Sequence, residues 1–476
     1  MKKGTLLVAL GLITTLLSIT GCKNDENKLA LQAGETIFNN KIIYDRSTET
    51  PYNVGVKLSL DDGVKVTGVK LGRIEAEKEQ FNYKDGVLIL GGEFLSKLST
   101  QEKDFVVSLS NDKTVKVPSI IATKVIKTAA EFQAINDNLT GIYVLGNDID
   151  LSSISNFEPL GWYYSETDTS NSYFHGILEG NGYSIKNAKV WYNSTAENNS
   201  LVYNGAGLFQ NPAHSNGDNI GLFQVIGSSG IVRNVTFDNI SVRGRTICGV
   251  IAGNVMGTVE NCLIRENCIV EGGTHFYDDD CNIGGAFGIV AGSGNVINTV
   301  SLTAKVSFPE VFIDNDDTYV GKIGNGWDHT NEPGNTDYTW KYANVDKPLM
   351  NYADDGSVND TGSKAKDSNN SFTNGIYSFA GKTWGSITNC YSISWKQTPY
   401  EGSARNVYFS QTHVGANKPG SGSENMGTLT SCSALPAEDL KNPDLYSGYD
   451  KNVWSLEQGV YPKLIAPQIS YSVISE

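Results

Sequence analysis

The sequence predicts an all-β protein, a small β-sandwich followed by a long stack of repeats, and three observations carry that prediction. One pattern returns three times between Asn219 and Ser301: NIGLFQVIGSSGIVRNVTF, ICGVIAGNVMGTVENCLI and GGAFGIVAGSGNVINTVS. Each copy has a Gly-rich apolar half, then a Gly-x-(Ile/Val)-x-Asn half, and recurrence every few tens of residues marks a stacked repeat. Composition points the same way, with 50 Gly against 13 Pro and little helical periodicity, which suits many turns between short strands. Finally, residues 35–121 alternate with the period of two that half-buried strands show.

The chain has 476 residues, room for one small domain and a long solenoid. Its net charge is −15, with 52 Asp and Glu against 37 Lys and Arg, and a pI near 4.9. A sequence-independent nucleic-acid binder needs a basic footprint, so no nucleic-acid partner is expected. The balance reads as a soluble, self-repelling surface.

At the N-terminus, Lys2 and Lys3 precede an apolar run from Leu6 to Ile19, too short to span a membrane. The run ends in Leu-Ser-Ile-Thr-Gly-Cys at 17–22, which resembles a bacterial lipoprotein signal. The resemblance implies a signal peptide over 1–21, a lipid on Cys22, outer-membrane lipid as a partner and a tether over 22–33. Lys23-Asn24-Asp25-Glu26-Asn27 is similar to the export signals of Bacteroidetes lipoproteins, which implies a place on the cell exterior.

Residues 34–122 are read as the sandwich. Val54, Val56, Leu58 and Leu60 alternate with Gly, Lys and Ser, and turns at Asp61–Gly63, Lys84–Gly86 and Asn111–Lys113 separate the strands that follow. The segment DGVLILGGEFLSKLS from Asp85 resembles the immunoglobulin-like accessory modules of secreted bacterial glycan-active proteins. That implies an Ig-like spacer.

The repeat domain is expected over 124–465. It opens with a short helix at 128–135, where Thr128 and Glu131 have the spacing of a capping box. Such a helix would cover the otherwise open apolar end of the first coil. Tyr143-x-Leu145-x-x-Asp148-Ile149-Asp150-Leu151, Phe174-x-Gly176-x-Leu178-x-Gly180-Asn181-Gly182 and the Gly-Leu-Phe triplets at 207–209 and 221–223 resemble the GLUG-repeat family. The family includes the N-terminal part of some IgA-cleaving metalloproteases. The resemblance implies a right-handed parallel β-helix, with Tyr449-Asp450-x-x-Val453-Trp454 and Gly459-x-Tyr461-Pro462-x-Leu464 forming its closing coil. An insertion at 309–371 departs from the pattern, and insertions of this length gather on the binding face of a solenoid.

The repeat Asn residues are read as Asn234, Asn261 and Asn298, with outlying copies at GYSIKNAKV (Asn187) and GSITNCYS (Asn389). Asn tolerates left-handed torsions at strand corners, and stacked amides can form a hydrogen-bonded ladder. Val232, Val235, Val259, Leu263, Val296 and Val300 are expected to fill a shared core. Six Cys remain besides Cys22. Cys262 and Cys390 follow a repeat Asn and are expected in equivalent core positions. Cys268 and Cys281 flank an insertion and could pair in an oxidising compartment. No Cys spacing suits zinc.

Chemistry is expected in what interrupts the repeat. The five His residues show no His-Glu-x-x-His motif. Trp162, Tyr163, Tyr164, Trp191, Trp327 and Trp340 are candidate sugar-stacking residues. Asp314, Asp316 and Asp317 are candidate ligands of a structural Ca2+, with no other cofactor expected. The expected function is a cell-surface lipoprotein whose β-helix is a non-catalytic adhesion or glycan-binding platform for host or dietary glycans or glycoproteins. The alternatives are a polysaccharide-degrading lyase or hydrolase, using acids such as Asp278–Asp280 or Asp316, and a purely structural envelope protein.

Overall fold

The computed structural model describes residues 29–161, 172–191, 200–202, 219–244, 247–271, 282–303, 305–307, 312–313, 339–342, 375–377, 379–393, 428–467 and 469–472. Strands are the dominant regular element among these residues, with only short helical turns, and the fold is all-β.

The N-terminal module is built from three small sheets. In the largest, Val54–Lys57 pairs antiparallel with Val87–Leu90, which pairs in turn with Phe81–Lys84. A second sheet carries Val66–Leu71 against Phe105–Leu109. In the third, Ser119–Ala122 runs parallel to Ile42–Asp45. Alternation along Phe105–Leu109 sends Phe105, Val107 and Leu109 inward, where they meet Ile42, Val54, Leu88, Leu95 and Ile120. Gly92 opens a single helical turn, and a Cβ there would lie 2.4 Å from the Tyr52 backbone nitrogen. Only Gly permits that approach. Residues 29–33, expected within a tether, pack on this module instead: the Leu29 and Ala30 carbonyls accept from Asn82 and Asn53.

Beyond Ala122 the strands stack in parallel. One sheet runs Lys124–Ile126, Ile142–Leu145, Ile177–Glu179, Ile231–Arg233, Thr258–Glu260, Asn295–Ile297, Ser386–Thr388 and Thr428–Thr430, every neighbour parallel and in register. A second sheet of seven strands runs from Ile149–Asp150 to Ser433–Leu435 in the same sense. From the third coil on, two residues separate a strand of the first sheet from the next strand of the second, as Asn234 and Val235 do between Arg233 and Thr236. Three shorter parallel sheets complete the coils. In-register stacking puts like on like, so Leu178, Val232, Val259, Val296 and Ile387 form one buried column. Phe174 on Phe223 and Phe287 on Phe379 form aromatic pairs at 5.0 and 5.6 Å.

The first coil is closed at its end. Thr128 Oγ1 accepts from the Glu131 N–H and Glu131 Oε2 accepts from the Thr128 N–H, fixing the start of the helix Ala129–Gln133. This places Phe132 and Ile135 in the stack's core. Val144, from the stack, is buried in the core of the N-terminal module, so the two bodies share apolar contact.

Two expectations are corrected. Leu263 and Val300 do not point inward; with Tyr391 they line the outer face of the second long sheet. Side chains alternate across a strand, and the inward places fall to the next residue, as at Ile264. The expected closing coil is also absent from the stack. Residues 439–464 form two 3-10 turns and a small antiparallel pair, Trp454–Ser455 with Lys463–Leu464, laid on that outer face. Tyr446, Tyr449 and Trp454 are buried there against Leu263, Val300 and Tyr391. The Trp454 N–H closes a turn on the Asp450 carbonyl, and the short strand that starts there pairs antiparallel with Lys463–Leu464 rather than in parallel with a coil. The chain then runs back past Gly182, where a Cβ would meet the Ile465 carbonyl at 2.2 Å. Ile469–Tyr471 ends as an antiparallel edge strand on Thr36–Phe38 of the N-terminal module.

Candidate functional site

A spine of amides runs along the corner between the two long sheets of the stack. Asn234, Asn261, Asn298 and Asn389 have φ of +55°, +51°, +47° and +53°. That left-handed torsion turns each strand into the next sheet, and Asn accepts it at low cost. Asn389 Nδ2 donates to Asn298 Oδ1 (3.3 Å), Asn298 to Asn261 (3.3 Å), and Asn261 to Asn234 (3.2 Å). Asn234 Nδ2 then donates to Glu179 Oε1 at 2.9 Å. Ser431, with φ +55°, occupies the same corner in the last coil.

Asn187 is not part of this spine, which corrects its grouping with the other four. The register aligns Lys186 with Asp238, so Asn187 stands beside Asn239 at the other end of the second long sheet. There it forms a shorter chain, with Asn239 Nδ2 donating to Asn187 Oδ1 and Asn187 Nδ2 to Asp150 Oδ1. The Asn187 amide and the Ser152 N–H and hydroxyl hold the exposed Asp150 carboxyl down at about 2. The residue aligned with Asn234 is Gly180.

The spine ends on an ion cluster around one buried carboxylate that sequence reasoning missed. The Glu179 side chain is 1% exposed and meets Arg233 Nε at 2.9 Å and Lys41 Nζ at 3.4 Å. Arg233 Nη2 also bonds Glu102 Oε1 at 2.6 Å. Burial pushes the Glu179 carboxyl up, but Lys41, Arg233, the Asn234 amide and the Asn181 N–H outweigh it and leave it below the usual carboxylate value. Lys41 and Glu102 belong to the N-terminal module, Glu179 and Arg233 to the stack, so the cluster ties the two together. The available signal was a charge immediately before the corner in successive coils: Glu179, Arg233 and Glu260 are register partners.

Of the aromatic candidates, Trp191 has a described side chain. It sits half-buried on the outside of a lateral sheet, in register with Arg243 and Glu271. Its indole Nε1 donates to Ser241 Oγ at 2.9 Å, and Asn156 bonds its backbone on both sides. The Arg243 guanidinium lies 4.7 Å and the Lys189 ammonium 5.2 Å from its ring centroid, a cation–π arrangement. Trp340 lies in the strand Thr339–Tyr342, which pairs with Ser200–Val202 and Phe312–Ile313. Cys22, Trp162, Tyr163, Tyr164, Trp327, Asp314, Asp316, Asp317, Asp278–Asp280 and Cys281 lie outside the described residues, as does most of the 309–371 insertion. Among the described residues no group of three or more His, Cys, Asp or Glu is placed to hold a metal ion.

No family model matches the chain. Halomucin of Haloquadratum walsbyi is similar at 32% identity over 181 residues, which is 36% of this chain and 2% of halomucin. A putative Gly-rich membrane protein of Evansella cellulosilytica is 32% identical over 150 residues, covering 29% of this chain and 14% of that protein. The chain therefore spans a small fraction of both relatives. An IgA1 protease structure aligns with 81% of this chain and 27% of its own at 13% identity, with a TM-score of 0.28. That score carries no argument about fold or activity.

Four of the five described cysteines lie in the interior. Cys248, Cys262, Cys268 and Cys390 are buried. Cys262 and Cys390 stand two coils apart in one column, with Thr299 between them. Burial pushes the Cys268 thiol up to about 12 and Cys262 higher still, so neither is a nucleophile at neutral pH.

Proposed function

We propose that this chain is a right-handed parallel β-helix, lipid-anchored through Cys22 on the outside of the outer membrane and raised on an immunoglobulin-like spacer. In this reading its lateral surface is a non-catalytic adhesion or glycan-binding platform. The observation that carries the binding reading is Trp191, held on the outer face of a lateral sheet by Asn156 and Ser241 with two cations against its ring. A rigid indole beside a guanidinium and an ammonium suits a sugar bearing a carboxylate or sulfate, with the ring stacking and the cations pairing the acid. The names of the two relatives, halomucin and a putative Gly-rich membrane protein, support a place in the cell envelope.

The test is binding of the full chain to a panel of neutral and acidic glycans. Binding to acidic members, reduced at least tenfold by Trp191→Ala, is the expected result. Undiminished binding by that variant would remove the lateral face from the reading and shift attention to Trp162 and Trp327. Failure to bind any glycan or glycoprotein would sink the platform. Release of new chain ends from a polysaccharide, abolished by Asp316→Asn, would replace it with an enzyme.

A further inference from the structure

The column that follows the Asn spine holds Cys262, Thr299, Cys390 and Cys432 on successive coils. Cys390 and Cys432 immediately precede Tyr391 and Ser433, which pair in parallel register. One strand spacing, about 4.8 Å, therefore separates their backbones. This falls inside the Cα separation of about 4.4–6.8 Å that a disulfide spans. Their surroundings match, with the Cys390 thiol donating to the Thr388 carbonyl and the Cys432 thiol to the Thr430 carbonyl, each at 3.2 Å. Cys390 is fully buried, whereas Cys432, on the last described coil, is partly exposed.

We propose that Cys390 and Cys432 are a redox pair that closes into a disulfide across the last two coils when the protein meets a disulfide oxidant. The division of labour follows from their surroundings. The neighbouring Cys390 thiol, the largest influence, lowers the Cys432 thiol below its usual value against the effect of burial, while burial and Cys432 raise Cys390 well above it. Cys432 is thus the attacking thiolate. It bonds to one sulfur of a small disulfide such as oxidised glutathione and releases one glutathione thiolate. Cys390 then loses its proton and attacks the Cys432 sulfur, releasing the second glutathione. Two protein thiols are oxidised by two electrons, and the small disulfide is reduced to two thiols. Cys262 is the internal control, since Thr299 stands between it and Cys390 and two strand spacings, about 9.6 Å, exceed the reach of a disulfide.

The experiment uses the full chain incubated with oxidised glutathione, unfolded in a thiol-alkylating agent, digested and mapped by mass spectrometry. The expected product joins the Cys390 and Cys432 peptides, two hydrogens lighter than their sum, while Cys262 and Cys268 are alkylated. Cys390→Ser should stop at a mixed glutathione disulfide on Cys432, and Cys432→Ser should leave Cys390 unmodified. Two alkylated residues at 390 and 432 in the treated wild type would overturn the pair, as would a bond from Cys432 to any other cysteine. The wild-type map decides the matter even if a variant fails to fold.

Discussion

At the scale of single residues, the corner between the two long sheets sets a conformational demand and the sequence meets it with Asn. In five successive coils the corner places one residue at positive φ, where most side chains suffer a Cβ–carbonyl clash. Asn234, Asn261, Asn298 and Asn389 meet it and bond their amides head to tail. Ser431 holds the same torsion without the amide. Ser431→Asn should therefore raise stability by about 1 kcal/mol, seen as a higher urea midpoint with unchanged slope. An unchanged or lowered midpoint would mean the corner is not strained. These Asn were legible in the sequence because a torsional requirement restricts residue type. Asn187 was misgrouped because two different corners make the same demand. Spacing would have separated them: Gly to Asn is four residues at 230–234, 257–261, 294–298 and 385–389, but five at 182–187.

At the scale of elements, the stack shows where pattern reading succeeds and where it stops. Strand type, parallel pairing and the capped helix at 128–135 follow from local composition and chain order. Which side of a strand faces the core does not, when both sides are apolar. Leu263 and Val300 look like core residues and are, but of a second core built outside the sheet. The clue that Tyr446, Tyr449 and Trp454 would cover them is tertiary, since 193 residues separate Trp454 from Asn261, to whose Oδ1 its indole donates at 3.2 Å. Trp454→Ala should cost about 3–5 kcal/mol, because it empties a fully buried site and exposes the apolar outer face. Thermal unfolding of the variant should begin at a markedly lower temperature, and a near-native melting curve would show the cap to be dispensable.

At the scale of the whole molecule, the ion cluster at Glu179 joins two bodies that local sequence treats as separate. Four charges from residues 41, 102, 179 and 233 converge there. None of them is close to another in sequence except through the fold, which is why the cluster was not legible. Breaking a buried pair from one side is costly, so Glu179→Gln should lose about 3 kcal/mol at neutral pH. The folded-state Glu179 carboxyl sits below its unfolded value. Its contribution is therefore complete above about pH 4.3, the ordinary glutamate value, and is lost as pH falls further through the folded value. The stability gap between wild type and Glu179→Gln should narrow in that acid range, and a gap independent of pH would refute the ion-pair account. The same view of the molecule brings its two described ends together. Gly34 N donates to the Ser472 carbonyl, Ser472 N to the Glu35 carbonyl, and Thr36 stands opposite Tyr471. Tension entering at residue 33 and leaving at residue 473 would act on these few backbone bonds from one end, peeling them singly as a zipper opens. The coils would carry none of that load until the clasp had parted, so under force the stack behaves as a protected cargo rather than as a rope.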